Sequence, residues 1–219
     1  MESESSLRER LIDVGVELVL AEGSASLGLR EIARRAGVSH GAPRRHFPTH
    51  HALLSAIARR GFEDLAARVG AAIADTTSPR AQLQAVARVY VGYALERRGM
   101  FELMFRHDLL DSEQHASGER RLRESTIPLF ERIVALVARC GEDQDDTTRR
   151  RSSGPDATPP PAVTAAALWS NLHGVAQLWA WGSLQLALDA TQPAGTLRGD
   201  PLDRIVAAVL DAHLGPVNS

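Results

Sequence analysis

The chain contains no lysine, a single cysteine and few aromatic residues, which make up 5% of its 219 residues. One cysteine, Cys140, excludes an intrachain disulfide and a cysteine-based zinc site. So few aromatic residues argue against a nucleic-acid-binding protein in which successive bases stack on aromatic side chains. The sequence also lacks a glycine-rich phosphate loop and a His-Glu-x-x-His metal helix. We therefore expect neither enzyme activity nor a cofactor or bound metal ion.

A secretory leader and a membrane span are not expected either. The first ten residues are polar and acidic, unlike a signal peptide. No charged residue occurs between Pro161 and Leu188, a length that could cross a bilayer. Seven polar side chains interrupt this run, and their exposure to lipid would be costly. We interpret the run as a helix buried in protein and expect a cytoplasmic chain.

Positive charge is concentrated in one segment. The formal net charge of the chain is −2, yet residues 28–60 hold seven arginines and one acidic residue, Glu31, a net charge of +6. The remainder is therefore acidic. This asymmetry indicates that only one end of the protein binds an anionic partner.

Apolar residues recur with the 3.6-residue period of helices, and no alternating strand pattern is convincing. The sequence predicts an all-α fold of about nine helices. These cover approximately residues 7–21, 29–36, 39–46, 50–75, 79–98, 100–107, 119–139, 161–190 and 201–214. Residues 141–160 contain an acidic run, an arginine triplet and prolines without apolar periodicity, so a mobile loop is predicted there.

Residues 29–47 have the pattern of a helix-turn-helix motif. A short helix from Leu29 ends at Gly37, and a second short helix follows from Ser39 to His46. The first turns of such a second helix reach base edges in the major groove, where arginine can bind guanine. The predicted DNA contacts are Arg30, Ser39, His40, Gly41, Ala42, Arg44, Arg45, His46, Thr49 and His50.

The sequence from Leu29 to Ser39, with Arg45-His-Phe-Pro and Ala52-Leu-Leu, resembles the tetracycline-repressor (TetR) family of bacterial transcriptional regulators. The resemblance implies a three-helix DNA head over residues 1–48, and an effector-binding and dimerisation domain over residues 49–219. It also implies a homodimer that pairs through its two C-terminal helices and binds a palindromic double-stranded operator. We expect an effector-responsive regulator, namely a repressor that a small apolar or aromatic molecule releases.

Three positions depart from the usual family pattern. Gly28 stands where the family usually has threonine or serine, Arg44 where it has an aromatic residue, and His50 where it has lysine. These changes remove a hydroxyl, introduce a guanidinium and replace a fixed charge by one that titrates near neutrality. They predict DNA binding with altered sequence preference or pH dependence. A helical interaction module with a degenerate DNA head stays open as an alternative.

The segment from Trp169 to Gly174 resembles the tryptophan–histidine–glycine motif in the C-terminal domain of one TetR subfamily. Trp169, His173 and Ala176 share a helical face, which we interpret as a pocket wall where His173 orients an effector. A core stripe with a hydrogen-bonded histidine is the other interpretation. The predicted ligand contacts are Phe101, Met104, Phe105, Trp169, Leu172, His173, Ala176 and Trp179. A small helical enzyme or metabolite carrier that uses the same pocket stays open as an alternative.

Overall fold

The computed structural model describes residues 2–106, 110, 123–148, 159–191 and 200–216. Within these ranges the secondary structure is helical and contains no strand, which confirms the predicted all-α class. The helices are α1 (Glu2–Glu22), α2 (Leu29–Arg35), α3 (Pro43–His46), α4 (His50–Ile73), α5 (Pro79–Glu96), α6 (Arg98–Met104), α7 (Arg123–Thr148), α8 (Pro161–Ala180), α9 (Ser183–Thr191) and α10 (Pro201–Leu214). None of the helices in these ranges is long and apolar enough to span a membrane.

The chain divides into two compact units. The head unit comprises Met1–Ala66 and Glu96–Ile127, and the body unit comprises Ala67–Leu95 and Pro128–Ser219. Helix α4 contributes residues to both units. This division reflects which parts of the chain pack together. The boundary predicted after residue 48 instead separates a DNA-binding part from an effector-binding part, and it stays a prediction.

Glycines allow close helix crossings in the head unit. A Cβ atom added to Gly99 of α6 would lie 2.5 Å from the carbonyl oxygen of Val19 and 2.8 Å from the Cα of Gly23, at the end of α1. A Cβ added to Gly61 of α4 would lie 2.7 Å from the Sδ of Met104 in α6. At Gly99 α6 therefore packs backbone to backbone against the end of α1, whereas at Gly61 the methionine side chains of α6 lie directly on the backbone of α4.

Helix α3 begins at Pro43 rather than after Ser39, which corrects the predicted bounds. A helix capped by Ser39 would need the N–H of residue 43 to donate to the Ser39 carbonyl, and proline has no N–H. The Ala42 N–H donates to that carbonyl instead, at 2.9 Å, and forms a turn. Pro43 then occupies the first helical position, where its missing donor does no harm.

The single helix predicted over residues 161–190 is two helices, α8 and α9. The break lies at Gly182, whose φ of 78° is in the left-handed region that favours glycine. The Gly182 N–H donates to the Trp179 carbonyl at 3.0 Å, and the Gln185 side chain donates to the same oxygen at 3.0 Å. Periodicity did not reveal this break because apolar residues continue on both sides of it.

Helix α7 extends into the predicted loop. It runs to Thr148, so residues 141–148 are helical, contrary to the prediction of a loop from residue 141. Residues 149–158 of that prediction lie outside the described residues, and residues 159 and 160 are described and are not helical. Helix α7 is already packed before this segment, as the buried Cys140 shows. Each residue added to an existing helix forms one more backbone hydrogen bond, so the helix can continue without an apolar face, and apolar periodicity does not reveal where it ends.

Replacing Gly99 with alanine should lower the free energy of unfolding by about 1–3 kcal/mol, because the new methyl group meets backbone atoms that cannot rotate away. Urea denaturation at a fixed protein concentration measures the change. Gly92→Ala in α5 is the control, since nothing lies within 4 Å of the added atom. That substitution should leave stability unchanged or raise it by up to about 1 kcal/mol. Equal effects of both substitutions would contradict the close crossing.

Candidate DNA-binding surface and effector site

The segment between α2 and α3 folds as a tight turn around Gly37. Its φ of 67° lies in the left-handed region, and the following Val38 N–H donates to the Ala33 carbonyl at 3.0 Å. Ile32 and Phe47 are buried, so α2 and the end of α3 are anchored in the same core. This arrangement leaves the polar side of α3 at the surface.

Residues 37–41 also have the Gly-x-Ser-x-Gly spacing of a hydrolase nucleophile elbow. Such an elbow joins a strand to a helix and exposes a strained serine. Ser39 instead lies in a turn between two helices, and its backbone has no positive φ. Ser39 therefore lacks the strand-to-helix setting of a nucleophile elbow.

One group of arginines in the head unit is engaged by carboxylates. Glu31 accepts hydrogen bonds from Arg34 at 2.9 and 2.6 Å and from Arg35 at 2.7 Å, and Arg35 also pairs with Glu22. The hydrogen bonds from Arg34 and Arg35 lower the pKa of Glu31 to about 2. Glu31 therefore keeps its charge in neutral solution, and Glu31 and Glu22 together offset these two guanidinium groups.

A second group of arginines is directed to solvent. This group comprises Arg30, Arg44 and Arg45, which are exposed and form no ion pair with any described residue. Arg60, by contrast, pairs with Glu9, Asp13 and Glu63. The net positive charge of residues 28–60 is therefore presented mainly by Arg30 in α2 and by the pair in α3. That is the charge distribution that phosphate binding requires.

The ten predicted DNA contacts all lie in one segment of the head unit. Exposed positions are Arg30, Ser39, His40, Gly41, Arg44 and Arg45, and half-buried positions are Ala42, His46, Thr49 and His50. Thr49 caps α4, since its hydroxyl accepts the Ala52 N–H at 3.0 Å. Its backbone position at this helix start also suits a phosphate.

His50 has a structural partner that the sequence did not reveal. Its Nε2 lies 2.6 Å from the Leu27 carbonyl oxygen, and because a carbonyl only accepts, Nε2 donates. The bond ties the start of α4 to the segment before α2. The role of His50 as a phosphate contact stays a prediction.

In the body unit, three polar side chains form a hydrogen-bonded chain. The Trp169 indole N–H donates to the Tyr90 oxygen at 2.9 Å, and that oxygen lies 2.8 Å from Nδ1 of His173. Burial raises the pKa of Tyr90, so its hydroxyl keeps its proton. The Tyr90 oxygen and Nδ1 of His173 share a hydrogen bond whose donor depends on the tautomer of the histidine. Burial also lowers the pKa of His173, which favours its neutral form.

Aromatic rings surround this chain of hydrogen bonds. The ring centroids of Phe130 and Trp169 are 6.3 Å apart, and those of Trp169 and His173 are 6.4 Å apart, both edge to face. The cluster joins α5, α7 and α8. Trp169 and His173 of α8 were predicted from the sequence. Tyr90 and Phe130 were not, because they lie far away in the chain. The only signal was that a buried tyrosine needs a hydrogen-bond partner.

The remaining predicted ligand contacts fall in both units. Leu172 and Ala176 are buried in the body unit, and Trp179 is half-buried there. Phe101 and Met104 are buried in the head unit, where Phe105 stacks edge to face with Phe101 at 4.8 Å. The two sets thus belong to different units. Their joint lining of one cavity stays a prediction.

Comparison with known proteins identifies the family. Residues 11–57 match the profile of bacterial regulatory proteins of the tetR family, and residues 83–197 match the tetracyclin repressor-like C-terminal domain. The chain belongs to the tetR family of transcriptional regulators. The predicted resemblance is thereby confirmed.

The curated relatives of this tetR-family chain include the HTH-type transcriptional activator FasR of Mycolicibacterium smegmatis. The two sequences are 26% identical over 132 residues, which are 60% of this chain and 59% of FasR. The alignment thus spans less than two thirds of the relative.

Solved structures cover nearly the whole chain. A protein of unknown function from Rhodococcus sp. RHA1 is 29% identical, with a TM-score of 0.66 over 95% of this chain and 93% of its own. RolR in complex with resorcinol is 18% identical, with a TM-score of 0.62 over 99% of this chain and 91% of RolR. The second likeness is one of fold.

The hydrogen-bonded chain predicts how stability depends on pH. The pKa of His173 is lower in the folded protein than its ordinary value of 6.5, so the unfolded chain binds more protons just below that pH. The free energy of unfolding should therefore fall as pH is lowered from 7.5 to 5.5, and His173→Gln should reduce this fall. His40→Gln, on the exposed surface of the head, is the control and should retain it. Denaturation curves at several pH values measure both; an unchanged profile in His173→Gln would contradict the lowered pKa of His173.

Proposed function

We propose that this chain is a ligand-responsive, DNA-binding transcriptional regulator that acts as a homodimer on a palindromic operator. One observation carries the proposal: in a tetR-family chain, Arg44 and Arg45 stand exposed on α3, just beyond the glycine turn, without a carboxylate partner among the described residues. If the head no longer bound DNA, nothing would favour leaving Arg44 and Arg45 without ion pairs while neighbouring arginines are neutralised.

The head would read DNA with α3 and the turn before it. Arg44, at the position where a ring is usual, is our candidate for bidentate contact with guanine in the major groove. Arg45 and Arg30 would bind phosphates, which position the head without reading sequence. Two heads on a two-fold dimer would contact half-sites about 34–36 Å apart.

The dimer would form through α8 and α10. Val163, Ser170, Gly174 and Leu178 recur along one uncharged side of α8, of which Val163 and Leu178 are exposed large apolar residues. Gly174 has nothing within 4 Å of an added Cβ, although glycine costs a helix about 1 kcal/mol relative to alanine. A closely approaching helix of a second copy explains why a small residue is used there.

Helix α10 is held in place for that role. Arg80 of α5 donates to the carbonyl oxygens of Leu210 and Gly215, each at 3.1 Å, and pairs with Asp211. These bonds satisfy the carbonyl end of α10, where a cation also favours the helix dipole. The dimer surface therefore rests on a fixed pair of helices.

The effector site would lie at Tyr90, Trp169 and His173. Its polar atoms are neutral and its walls are aromatic, which suits an uncharged aromatic molecule with one or two hydrogen-bonding groups. The resorcinol held by RolR is a molecule of that kind. An effector would act by binding one arrangement of the dimer more tightly than another, and α4, shared by both units, would carry the difference to the heads.

We expect repression, because a dimer on its operator blocks access to the promoter. FasR, by contrast, is an activator. Transcription in vitro from the bound promoter distinguishes repression from activation. Chemical conversion of the bound compound by the protein would instead favour the enzyme or carrier alternative.

Arginine substitutions in α3 should separate sequence reading from phosphate binding. Arg45→Ala should weaken binding to operator and random duplex alike and lower the salt slope by about one, because one phosphate contact is lost. Arg44→Ala should cost about 1–3 kcal/mol on the operator alone. Fluorescence anisotropy at several salt concentrations measures both.

Arg34→Ala is the matched control for these variants. It removes an exposed arginine of the same head that Glu31 already neutralises, so operator affinity should change far less. If Arg34→Ala weakened binding as much as Arg45→Ala, the distinction between paired and unpaired arginines would be wrong.

An effector should change tryptophan emission, since Trp169, Trp179 and Trp181 are the only tryptophans and all lie at α8 or its end. Titration with small phenols, beginning with resorcinol, is the measurement. His173→Ala should weaken the response while operator affinity stays nearly intact. Arg88→Ala, which removes an exposed ion pair with Asp203 in the same unit, should keep both. Loss of operator binding in His173→Ala would show a purely structural histidine.

A further inference from the structure

The two helices of the helix-turn-helix are too short to determine their own positions. Helix α2 has seven residues and α3 has four, and neither has a side-chain cap at its N-terminus. Helices of this length are marginal in water, because forming the first turn of a helix is costly. Their orientation must therefore come from contacts with the rest of the head unit.

One hydrogen bond joins the two ends of the segment that contains both helices. Nε2 of His50, the first residue of α4, donates to the Leu27 carbonyl oxygen at 2.6 Å, across 23 positions of the chain. Leu27 directly precedes Gly28, the residue from which α2 begins. Residues 27–50 thus form a loop that holds α2, the glycine turn and α3, and this bond, the His50 clasp, closes the loop at its base.

The His50 clasp satisfies a backbone group that the fold leaves without another donor. Leu27 is buried, and no backbone N–H in the described part of the chain donates to its carbonyl oxygen. A buried carbonyl that loses its hydrogen bond destabilises the structure that contains it. The clasp therefore opposes any movement of α2 away from the start of α4.

The clasp also limits what His50 can offer to DNA. In a neutral ring that donates from Nε2, Nδ1 carries no proton and can only accept a hydrogen bond. The oxygens of a DNA phosphate also only accept, so this ring has no donor left for them. Lysine, which is usual at this position in the family, has three donors and no such restriction. A neutral His50 in the clasp can therefore affect DNA binding only through the loop.

We propose that His50 is a positioning residue, which fixes the loop that carries Arg44 and Arg45 and does not itself contact DNA. The inference rests on the proposed function, which assigns DNA contacts to both arginines. A loop that is fixed before binding loses less conformational freedom when it docks. The clasp should therefore favour the operator, where α3 must lie in one orientation, over random duplex. Because His50 begins α4, the loop also follows any shift of that helix start.

The test compares full-length variants that differ in whether they can form the clasp. The amide of His50→Gln can donate to the Leu27 carbonyl, the amide of His50→Asn is one methylene shorter, and His50→Leu has no donor. His51→Leu is the control, since it removes an exposed imidazole whose ring only stacks on His50, with centroids 6.5 Å apart.

Two duplexes serve as probes: one that the parent protein selects from a randomised pool, and one of the same composition in scrambled order. Fluorescence anisotropy at several salt concentrations gives both affinities, and circular dichroism confirms that each variant is folded. The ratio of the two affinities is the readout, because a loss of folded protein lowers both equally.

We expect His50→Asn and His50→Leu to bind the selected duplex roughly tenfold more weakly than His50→Gln, which is about 1.4 kcal/mol. Their affinity for the scrambled duplex and their salt slope should change little, since no phosphate contact is removed. His51→Leu should stay within about twofold of the parent on both duplexes, as is usual for surface substitutions.

Two results would overturn the inference while the proposed function stands. The first is an equal loss on both duplexes in all three His50 variants, with a salt slope lower by about one, which would make His50 a phosphate contact. The second is a selected duplex that all three variants bind alike. A parent protein that selects no duplex overturns the proposed function and this inference together.

Hydrogen exchange tests the clasp without DNA. The Ile32 N–H donates to the Gly28 carbonyl and the Val38 N–H to the Ala33 carbonyl, each at 3.0 Å, so these two amides report on the loop. Both should exchange roughly tenfold faster in His50→Leu than in His50→Gln, because a loop without the clasp opens more often. Equal exchange in the two variants would show that the clasp does not hold the loop and would overturn the inference.

Discussion

Close approach of helices at Gly15, Gly61 and Gly99 is the constraint on which the head unit depends. At each of these positions an added Cβ would meet atoms of a neighbouring helix, and at Gly99 those atoms are backbone. Since these crossings leave no space for a side chain on the glycine, a shift of α1, α4 or α6 requires its neighbours to move. The end of α1 leads directly into the segment before α2. The helix-turn-helix is thus carried on a tightly packed base, and its exposed face can be polar without loss of stability.

Charge is organised on that base by pairing. Glu31 engages two arginines of α2, and Glu9 engages Arg60, so much of the segment's positive charge is offset at the surface. Such exposed pairs add little stability. Their consequence is electrostatic: the remaining field is centred on Arg30, Arg44 and Arg45. A chain with a net charge of −2 can thereby attract a phosphate backbone at one place.

In the body unit the two interpretations of His173 coincide in part. The histidine is hydrogen-bonded, as a core residue would be, and its Nδ1 is held by the Tyr90 hydroxyl. The same bonds make a polar group available at a defined orientation within aromatic surroundings. A site of this kind is prepared before any ligand arrives. Its neutrality follows from burial rather than from a charged partner.

Most elements of the fold could be predicted from the sequence because their signals are local. Gly23, Pro79 and Pro201 lie at helix ends where expected, and α10 has the predicted bounds. Errors arose where a single atom or dihedral decided the outcome: the absent N–H of Pro43 shortened α3, and the positive φ of Gly182 divided α8 from α9. In both places the apolar period continued unchanged.

By itself, then, the sequence determined the helical class, the glycine turn and the family, each of which depends on residues close together in the chain. Only the tertiary structure decided which arginines are neutralised, what His50 contacts and which residue orients His173. These choices join residues up to 83 positions apart. Side-chain partners of that kind depend on how helices pack, and helical periodicity carries no information about which helix lies opposite.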